Sequence, residues 1–185
     1  MTLSADFFAR DTLTVARELI GVTLVLGGCR GRIVETEAYT TDAASHAVTR
    51  RHKATIMRDT WGHIYVYRIY GVHYCLNFTT EHAGVGAVLI RAVEPLAGLR
   101  TMARRRGTAE PRKLATGPGC LCRAFGIDLR FNGRAIGKQL RLEPREHEPT
   151  IDVTPRVGIS AARELLWRFL ERGSPYVSRG PRSVS

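Results

Sequence analysis

The sequence predicts a single α+β domain built on a curved, mainly antiparallel β-sheet with short flanking helices. Segments rich in β-branched and aromatic residues are separated by short turn signals rather than by long crossover helices, which favours antiparallel pairing. The chain has 185 residues with 44% hydrophobic content, enough for one packed core, and it shows no internal repeat or linker.

The first half of the chain predicts one helix and two groups of strands. Asp11 precedes apolar residues at helical spacing that end at Gly21, which predicts a short first helix. The polar and basic stretch 40–62 predicts a long loop, a kind of segment that often carries function. Strands are predicted at 23–26, 30–39, 64–71, 72–78 and 85–93, the first two joined through Gly27-Gly28.

The second half predicts further short elements and a loose end. Pro95 is expected to open a helix that continues to about Arg105, because the fixed φ of proline suits a first helical turn. The apolar segment 165–170 fits a helix or a strand, and the last ten residues, from about 176 to 185, predict a loose tail. A short helix, a hairpin turn and two strands are predicted at 121–125, 132–133, 140–143 and 150–159.

The chain is strongly basic, with 28 Lys and Arg residues against 17 Asp and Glu, a formal net charge of +11. This balance favours a polyanionic partner, nucleic acid above all, because each phosphate contact releases counterions. The N-terminal segment lacks a basic region followed by an apolar run, and no stretch approaches the roughly 20 apolar residues of a membrane span. We therefore expect an intracellular monomer of the cytoplasm or nucleoid (the nucleus in a eukaryote), with no membrane partner.

The four cysteines are expected to be free thiols, since no secretion signal predicts a disulfide framework. Cys120 and Cys122 form a CxC pattern and His73 and Cys75 an HxC pattern, whereas structural zinc sites use CxxC pairs. Small buried hydrophobic side chains are the favoured interpretation and a zinc site is the alternative. No metal and no cofactor is expected.

Two carboxylates on the strand 30–39 are the first candidates for chemistry. Glu35 and Glu37 lie two residues apart, so alternation places them on one face with Ile33 and Tyr39. One interpretation is a solvated strand face neutralised by neighbouring arginines. The other is a carboxylate in a partly apolar site, where burial and an acidic neighbour raise its pKa and make it a base.

An arginine within an apolar strand and a cluster of tyrosines complete this pattern. Arg91 interrupts the strand 85–93, so it is expected to meet a carboxylate or a bound anion. Tyrosines of the strand 64–71 fit a buried sheet face, but in a basic protein they also fit rings that stack on unpaired bases. Tyr70, at a strand-to-turn corner, suits a residue that fills the gap left by an extruded nucleotide. The same features also fit a nucleic-acid-binding β domain without chemistry.

The candidate residues lie within longer motifs that follow one another along nearly the whole chain. The first blocks are GRIVETEAY at 31–39 and ASHA at 44–47, followed by YVY at 65–67, YG at 70–71, and His73, Cys75 and Asn77. The later blocks are VLIRAVEP at 88–95, GPG at 117–119 with LC at 121–122, and PRVGI at 155–159. Together they resemble the signature of the 3-methyladenine, or alkyladenine, DNA glycosylase family.

The resemblance implies roles in catalysis for three of these residues. Glu37, rather than Glu35, would be the general base for an attacking water. Arg91 and the main-chain carbonyl of Val157 would help to hold that water. No metal and no Schiff base would be needed, since members of this family act as monofunctional glycosylases.

The resemblance also implies how the base would be recognised. Tyr39 and His46 on one side and Tyr67 on the other would sandwich a flipped base. Asn77 would clash with the 2-amino group of guanine and so reject normal purines. Tyr70 would wedge into the duplex in place of the flipped nucleotide.

The implied activity is that of a single DNA glycosylase domain spanning residues 1–185. It would flip alkylated purines out of double-stranded DNA and hydrolyse the N-glycosidic bond, leaving an abasic site. The alternative is a lesion- or nucleic-acid-binding domain with weak or no excision activity, because the stretch 50–63 departs from the pattern of the family. Cys120 also stands where the family tends to have lysine, which would remove one phosphate contact.

Overall fold

A computed structural model describes residues 2–52 and 54–180 and contains one eight-stranded sheet. The strand order is β3-β4-β5-β2-β1-β6, and the β7-β8 hairpin joins through β8 to β2. Every strand pair in the described ranges is antiparallel, so the predicted α+β fold on a curved antiparallel sheet with short helices is confirmed. The strands are β1 Thr23–Leu26, β2 Cys29–Tyr39, β3 Ile64–Ile69, β4 His73–Thr80, β5 Gly86–Ala97, β6 Leu140–Glu143, β7 Ile151–Thr154 and β8 Arg168–Glu171.

Short helices flank the sheet and enclose the main core. Helix α1 packs against β2, and α6 packs against β4 and α4. The largest buried side chains of this core include Phe8, Phe78 and Phe125. The helices are α1 Thr12–Glu18, α2 His46–Thr49, α3 Ile56–Asp59, α4 Leu99–Arg106, α5 Pro111–Leu114 and α6 Pro118–Phe125, with 3-10 turns at Ala5–Phe8 and Leu129–Phe131.

The long central pair β2–β5 contains three register shifts, and two of them decide which side chains face the site. One lies between Ile33 and Glu35, and the other lies between Glu35 and Thr36, opposite Arg91. Because a bulge reverses the alternation of side chains, Ile33 joins the core together with Ala38 instead of sharing a face with Glu35. The acids are thereby turned away from the core even though the strand leading to them is buried in it.

The start of α4 differs from the prediction. Pro95 lies within β5, paired with Gly31 next to a register shift, where the missing N–H of proline is tolerated. The helix begins at Leu99, after Gly98 with φ +78°. A Cβ at Gly98 would lie 2.5 Å from the Gly28 carbonyl oxygen, so this turn requires glycine.

The structure resolves two other open points of the sequence. The ambiguous segment 165–170 contributes strand β8, and the predicted loop 40–62 contains the one-turn helices α2 and α3. The predicted loose tail is not loose at its start, because Ser178 is buried and the Thr116 hydroxyl donates to the Tyr176 carbonyl over 3.1 Å. Residues 181–185, the rest of that predicted tail, lie outside the described residues.

Candidate active site

A cleft of about 620 Å³ opens beside the β2–β5 pair. Its walls come from β2 to β5, the α2 region, the start of α6 and the loop 155–160. Most of the predicted site residues line it: Tyr39, His46, Tyr67, Tyr70, Asn77, Arg91 and Val157. Glu37 is not in the lining, but it contacts three of the residues that are.

Glu37 lies one layer behind the wall of the cleft, with an exposed fraction of 0%. Its Oε1 accepts a hydrogen bond from the Val157 backbone N–H at 2.7 Å. Its Oε2 accepts from the Tyr39 hydroxyl at 2.8 Å and from Arg91 Nη1 at 3.3 Å. Burial raises the pKa of Glu37, and the charge of Arg91 opposes this rise. The interpretation as a solvated strand face is therefore wrong for Glu37, and its role as a general base stays a prediction.

Glu35 is equally buried but has a different environment. Its Oε1 accepts from Nε of both Arg91 and Arg168, each at 2.8 Å, and from the Ser178 hydroxyl at 2.8 Å. Its Oε2 accepts from the Ser178 backbone N–H at 2.6 Å. Glu35 thus lies between two guanidinium groups, and Arg91 alone of these three partners lines the cleft, whereas Tyr39, Arg91 and Val157, which contact Glu37, all line it.

Val157 contributes through its amide as well as through its place in the cleft lining. The N–H that it donates to Glu37 comes from the loop after β7, where Gly158 adopts φ +73°. This contact fixes the orientation of the carboxylate. The predicted role of the Val157 carbonyl toward a water stays a prediction.

Aromatic rings form the walls of the cleft next to Glu37. The guanidinium of Arg156 lies 4.7 Å from the centroid of the Tyr39 ring and 5.0 Å from that of Trp167. Burial, together with Glu37, raises the pKa of the Tyr39 hydroxyl far above its usual range, so Tyr39 remains a neutral donor. Arg156 also bonds the Ala38 carbonyl at 2.9 Å and Asp42 at 2.7 Å, which holds the tyrosine from behind.

His46 and Tyr67 contact each other directly. Their ring centroids are 4.4 Å apart at an interplanar angle of 63°, and His46 Nδ1 lies 2.9 Å from the Tyr65 hydroxyl. Ser45 caps the short helix α2 and positions His46 at its first residue. Rings this close leave no room for a base stacked between them, so the predicted sandwich requires His46 and Tyr67 to separate.

Asn77 lies in the cleft on strand β4, almost fully buried. Its Nδ2 donates to the carbonyls of Tyr65 at 3.1 Å and Cys75 at 3.3 Å. The backbone of β3 and β4 therefore fixes the amide plane. The predicted role of Asn77 in rejecting the 2-amino group of guanine stays a prediction.

Tyr70 stands at the tip of the β3–β4 hairpin with 84% of its surface exposed. It has φ +51° and is followed by Gly71 with φ +72°, the successive left-handed residues of a tight hairpin turn. An exposed aromatic ring at a left-handed position has no packing role in the chain itself. It lines the cleft at its open side, and Val72, two residues further along the same hairpin tip, is also exposed.

Sequence reasoning assigned no role to three residues that organise the site: Arg156, Arg168 and Ser178. Arg168 carried the same signal as Arg91, an arginine inside an apolar segment, and that signal could have identified it. Arg156 lies in the PRVGI motif. Ser178 gave no signal, because its partners lie far away in the sequence.

The cysteines are free thiols, as predicted, and Cys29 and Cys122 are part of the main core. In residues 2–52 and 54–180, no group of three or more His, Cys, Asp or Glu side chains is arranged to hold a metal ion. No helix in these ranges is long and apolar enough to cross a membrane.

Comparison with known proteins gives the class of this protein. Residues 6–175 match the family model described as methylpurine-DNA glycosylase. A protein of Nitrosospira multiformis, described as a candidate 3-methyladenine DNA glycosylase, is 47% identical over 95% of this chain and 93% of its own. Proteins of the same description from Methanoculleus marisnigri (47% identical, 97% of this chain and 100% of its own) and Rhodopseudomonas palustris (45%, 96% and 90%) are also similar.

The chain belongs to the methylpurine-DNA glycosylase family. It is therefore a DNA glycosylase, a hydrolase of DNA repair, and the family recognised in the sequence motifs is confirmed.

Proposed function

We propose that the protein flips alkylated purines out of double-stranded DNA into the cleft and hydrolyses their N-glycosidic bond with a water activated by Glu37. The observation that carries this proposal is the buried Glu37 carboxylate behind the aromatic cleft, bonded to Tyr39, Arg91 and the Val157 N–H. The descriptions of the relatives support the class of substrate.

The proposed reaction breaks the bond between C1′ of the deoxyribose and N9 of the purine. The water oxygen forms a new bond to C1′, and a water proton passes to the Glu37 carboxylate. The electron pair of the broken bond leaves with the purine. A purine alkylated at N3 or N7 is cationic, so it departs as a neutral base. The other product is an abasic site, and Glu37 then returns its proton to solvent.

The polar environment of Glu37 suits two parts of this reaction. Its anion can receive the proton of the water and can stabilise the positive charge that develops on the sugar. Because Glu37 lies behind the wall, we expect the attacking water next to Arg91 and the Val157 carbonyl, between the carboxylate and the sugar. A raised pKa also brings the carboxylate closer to the working pH of a general base.

The walls of the cleft suit an electron-poor purine. We propose that the base stacks on Tyr39 and on Tyr67, and that His46 leaves its contact with Tyr67 to join the Tyr39 side. A cationic ring is attracted to the faces of aromatic side chains, so alkylated purines gain more from these walls than neutral purines do. Asn77, fixed by two backbone carbonyls, would disfavour the 2-amino group of guanine, and the cationic ring of 7-methylguanine offsets this penalty through its stronger attraction to the aromatic walls.

Tyr70 is proposed to enter the duplex where the flipped nucleotide has left the stack. Its exposure at the hairpin tip and its position at the cleft mouth support this role. We also propose that the protein acts as a monomeric single domain spanning residues 1–185, since one chain supplies a complete set of the proposed site residues.

The decisive experiment is single-turnover base release from duplexes that each carry one lesion: 7-methylguanine, hypoxanthine or ethenoadenine. We expect the wild type to release 7-methylguanine and Glu37→Gln to lose release by about 100-fold or more while still binding the duplex. Glu110→Gln, at an exposed pair with Lys113, is the matched control and should retain full activity.

Two other outcomes would redirect the proposal. Release that survives in Glu37→Gln would move the base role away from this residue. Lesion binding by the wild type without release from any duplex would support the alternative of a binding domain with weak or no excision activity.

A further inference from the structure

Four buried charges form an alternating series that ends at Glu37. Arg168 Nε donates to Glu35 Oε1 at 2.8 Å, and Arg91 Nε donates to the same oxygen at 2.8 Å. Arg91 Nη1 then donates to Glu37 Oε2 at 3.3 Å. All four side chains are buried, with exposed fractions of 2% for Arg168, 7% for Arg91 and 0% for both acids. We call this series the charge chain.

Segment 176–180 closes the charge chain from one side. Ser178 donates its N–H and its hydroxyl to the two oxygens of Glu35, and its hydroxyl accepts from Arg91 Nη2 at 3.2 Å. Its carbonyl accepts from Arg168 Nη2 at 3.1 Å. A Cβ at Gly180 would lie 2.8 Å from Arg168 Nη1 and 2.6 Å from Val157 Cγ2, so this segment also packs tightly beside the residue that orients Glu37.

The balance of charge explains why Arg168 and Glu35, the outer members of the charge chain, affect Glu37 at its other end. With Glu37 ionised, two arginines face two carboxylates and the buried group is neutral. Glu35 accepts hydrogen bonds from Arg168 and Ser178 as well as from Arg91. The charge of Arg91 therefore stabilises the Glu37 carboxylate as well as that of Glu35. If one outer partner were lost, Arg91 would have to compensate for it, since an unpaired buried charge is strongly unfavourable.

We propose that Arg168, Glu35 and Ser178 are positioning residues that determine how much of the Arg91 charge is available to the Glu37 carboxylate. This inference rests on the proposed role of Glu37 as the base. None of the three is itself among the residues that line the cleft. Glu35 and Ser178 contact Arg91, which does line it, and Arg168 acts on Arg91 through Glu35, so segment 176–180 is part of the catalytic apparatus.

Two neighbours of Glu37, the Cys75 thiol and the Tyr39 hydroxyl, do not titrate in the working range of the test. Burial raises the pKa of the Cys75 thiol and of the Tyr39 hydroxyl, so both stay neutral. The titratable and charged groups that face Glu37 are Glu35 and Tyr39 on β2, Arg91 on β5, Cys75 on β4, Arg168 on β8 and Arg156 in the loop 155–160.

The charge chain predicts that loss of Arg168 and loss of the Glu35 charge shift the pKa of Glu37 in opposite directions. Without Arg168, Glu35 draws more strongly on Arg91, and the pKa of Glu37 rises. Without the Glu35 charge, Arg91 serves Glu37 alone, and that pKa falls, since the Glu35 charge contributes to raising it. Because the base must be ionised, the acidic limb of the pH–rate profile follows the pKa of Glu37.

The test is the pH profile of single-turnover 7-methylguanine release by wild type, Arg168→Gln, Glu35→Gln and the double variant. We expect the acidic limb of Arg168→Gln to move up by about 0.5 to 1 pH unit and that of Glu35→Gln to move down by a similar amount. On the acidic side this lowers the rate of Arg168→Gln by about 3- to 10-fold. The double variant, again balanced in charge, should return toward the wild-type profile.

Milder and control variants keep the test decisive. Arg172→Gln, which breaks an exposed pair with Asp152 beyond the same strand, should leave the limb in place. Circular dichroism reports whether each variant folds; if Arg168→Gln does not fold, Ser178→Ala replaces it and should move the limb upward by a smaller amount.

The outcomes separate this inference from the proposed function. Loss of release in Glu37→Gln, with both single variants titrating as the wild type or moving in the same direction, would overturn the charge chain and leave the function standing. Full release of 7-methylguanine by Glu37→Gln would instead overturn the proposed function, on which the charge chain inference depends.

Discussion

At the residue scale, two acids that lie two positions apart on one strand differ in the hydrogen-bond donors that surround them. Glu35 is enclosed by donors from Arg91, Arg168 and Ser178, whereas Glu37 has a tyrosine hydroxyl, an amide and one shared arginine. The sequence shows the pair and its aromatic neighbour. It does not show which hydrogen-bond donors surround each acid, because Val157, Arg168 and Ser178 come from the second half of the sequence.

This difference predicts a cost in stability at the proposed base. A carboxyl whose pKa is raised in the folded state binds more protons there than in the unfolded state. The contribution of Glu37 to stability is therefore complete below its ordinary pKa and declines as pH rises toward the raised folded pKa. We expect Glu37→Gln to remove this decline, so that the unfolding temperature of the wild type falls relative to that of the variant as pH rises from 4 to 8.

Thermal unfolding of both proteins between pH 4 and pH 8 measures this effect, with about 1.4 kcal/mol corresponding to each pH unit by which one pKa differs between the two states. Glu110→Gln again serves as the control, since its carboxyl is exposed. Parallel stability curves for wild type and Glu37→Gln would contradict the prediction.

At the scale of elements, local patterns identified the strands well, and long-range pairing decided what those patterns missed. The strands at 23–26 and 140–143 have the predicted bounds. The register shifts of β2–β5 arise only when both strands are aligned, so simple alternation placed Ile33 on the wrong face. Pro95 likewise suits a helix start locally, but its pairing with Gly31 keeps it in β5.

The β3–β4 hairpin permits a test that separates function from folding. Tyr70 occupies a left-handed conformation that asparagine adopts more readily, and its ring is exposed. We therefore expect Tyr70→Asn to keep or slightly raise the melting temperature while weakening binding to lesion-bearing duplex by about 10-fold or more.

Tyr74→Phe, on the adjoining strand and outside the cleft lining, is the control for a tyrosine that packs against the core. Thermal unfolding and fluorescence anisotropy with a lesion duplex measure the two effects. A Tyr70→Asn protein that is destabilised but binds DNA normally would show that the ring serves the fold.

At the scale of the whole molecule, the charge of +11 and the buried site act on different steps. DNA binding should weaken steeply with salt, by a logarithmic slope of about 0.9 for each phosphate contact. The rate of base release from the bound complex should hardly change, because Glu37 and Arg91 are shielded from mobile ions. Anisotropy titrations and saturating single-turnover assays over the same salt series separate these two dependences.

For the base flipping proposed above, the contact between His46 and Tyr67 would make entry of a base an exchange rather than a simple addition. An undamaged base that leaves the duplex gives up its own stacking and must also displace one aromatic ring from another. A base that is already poorly stacked, or that carries a positive charge, meets a lower threshold for this displacement. We therefore expect the closed aromatic pair to compete with normal bases for the same ring face, so that discrimination begins before any bond to the sugar is strained.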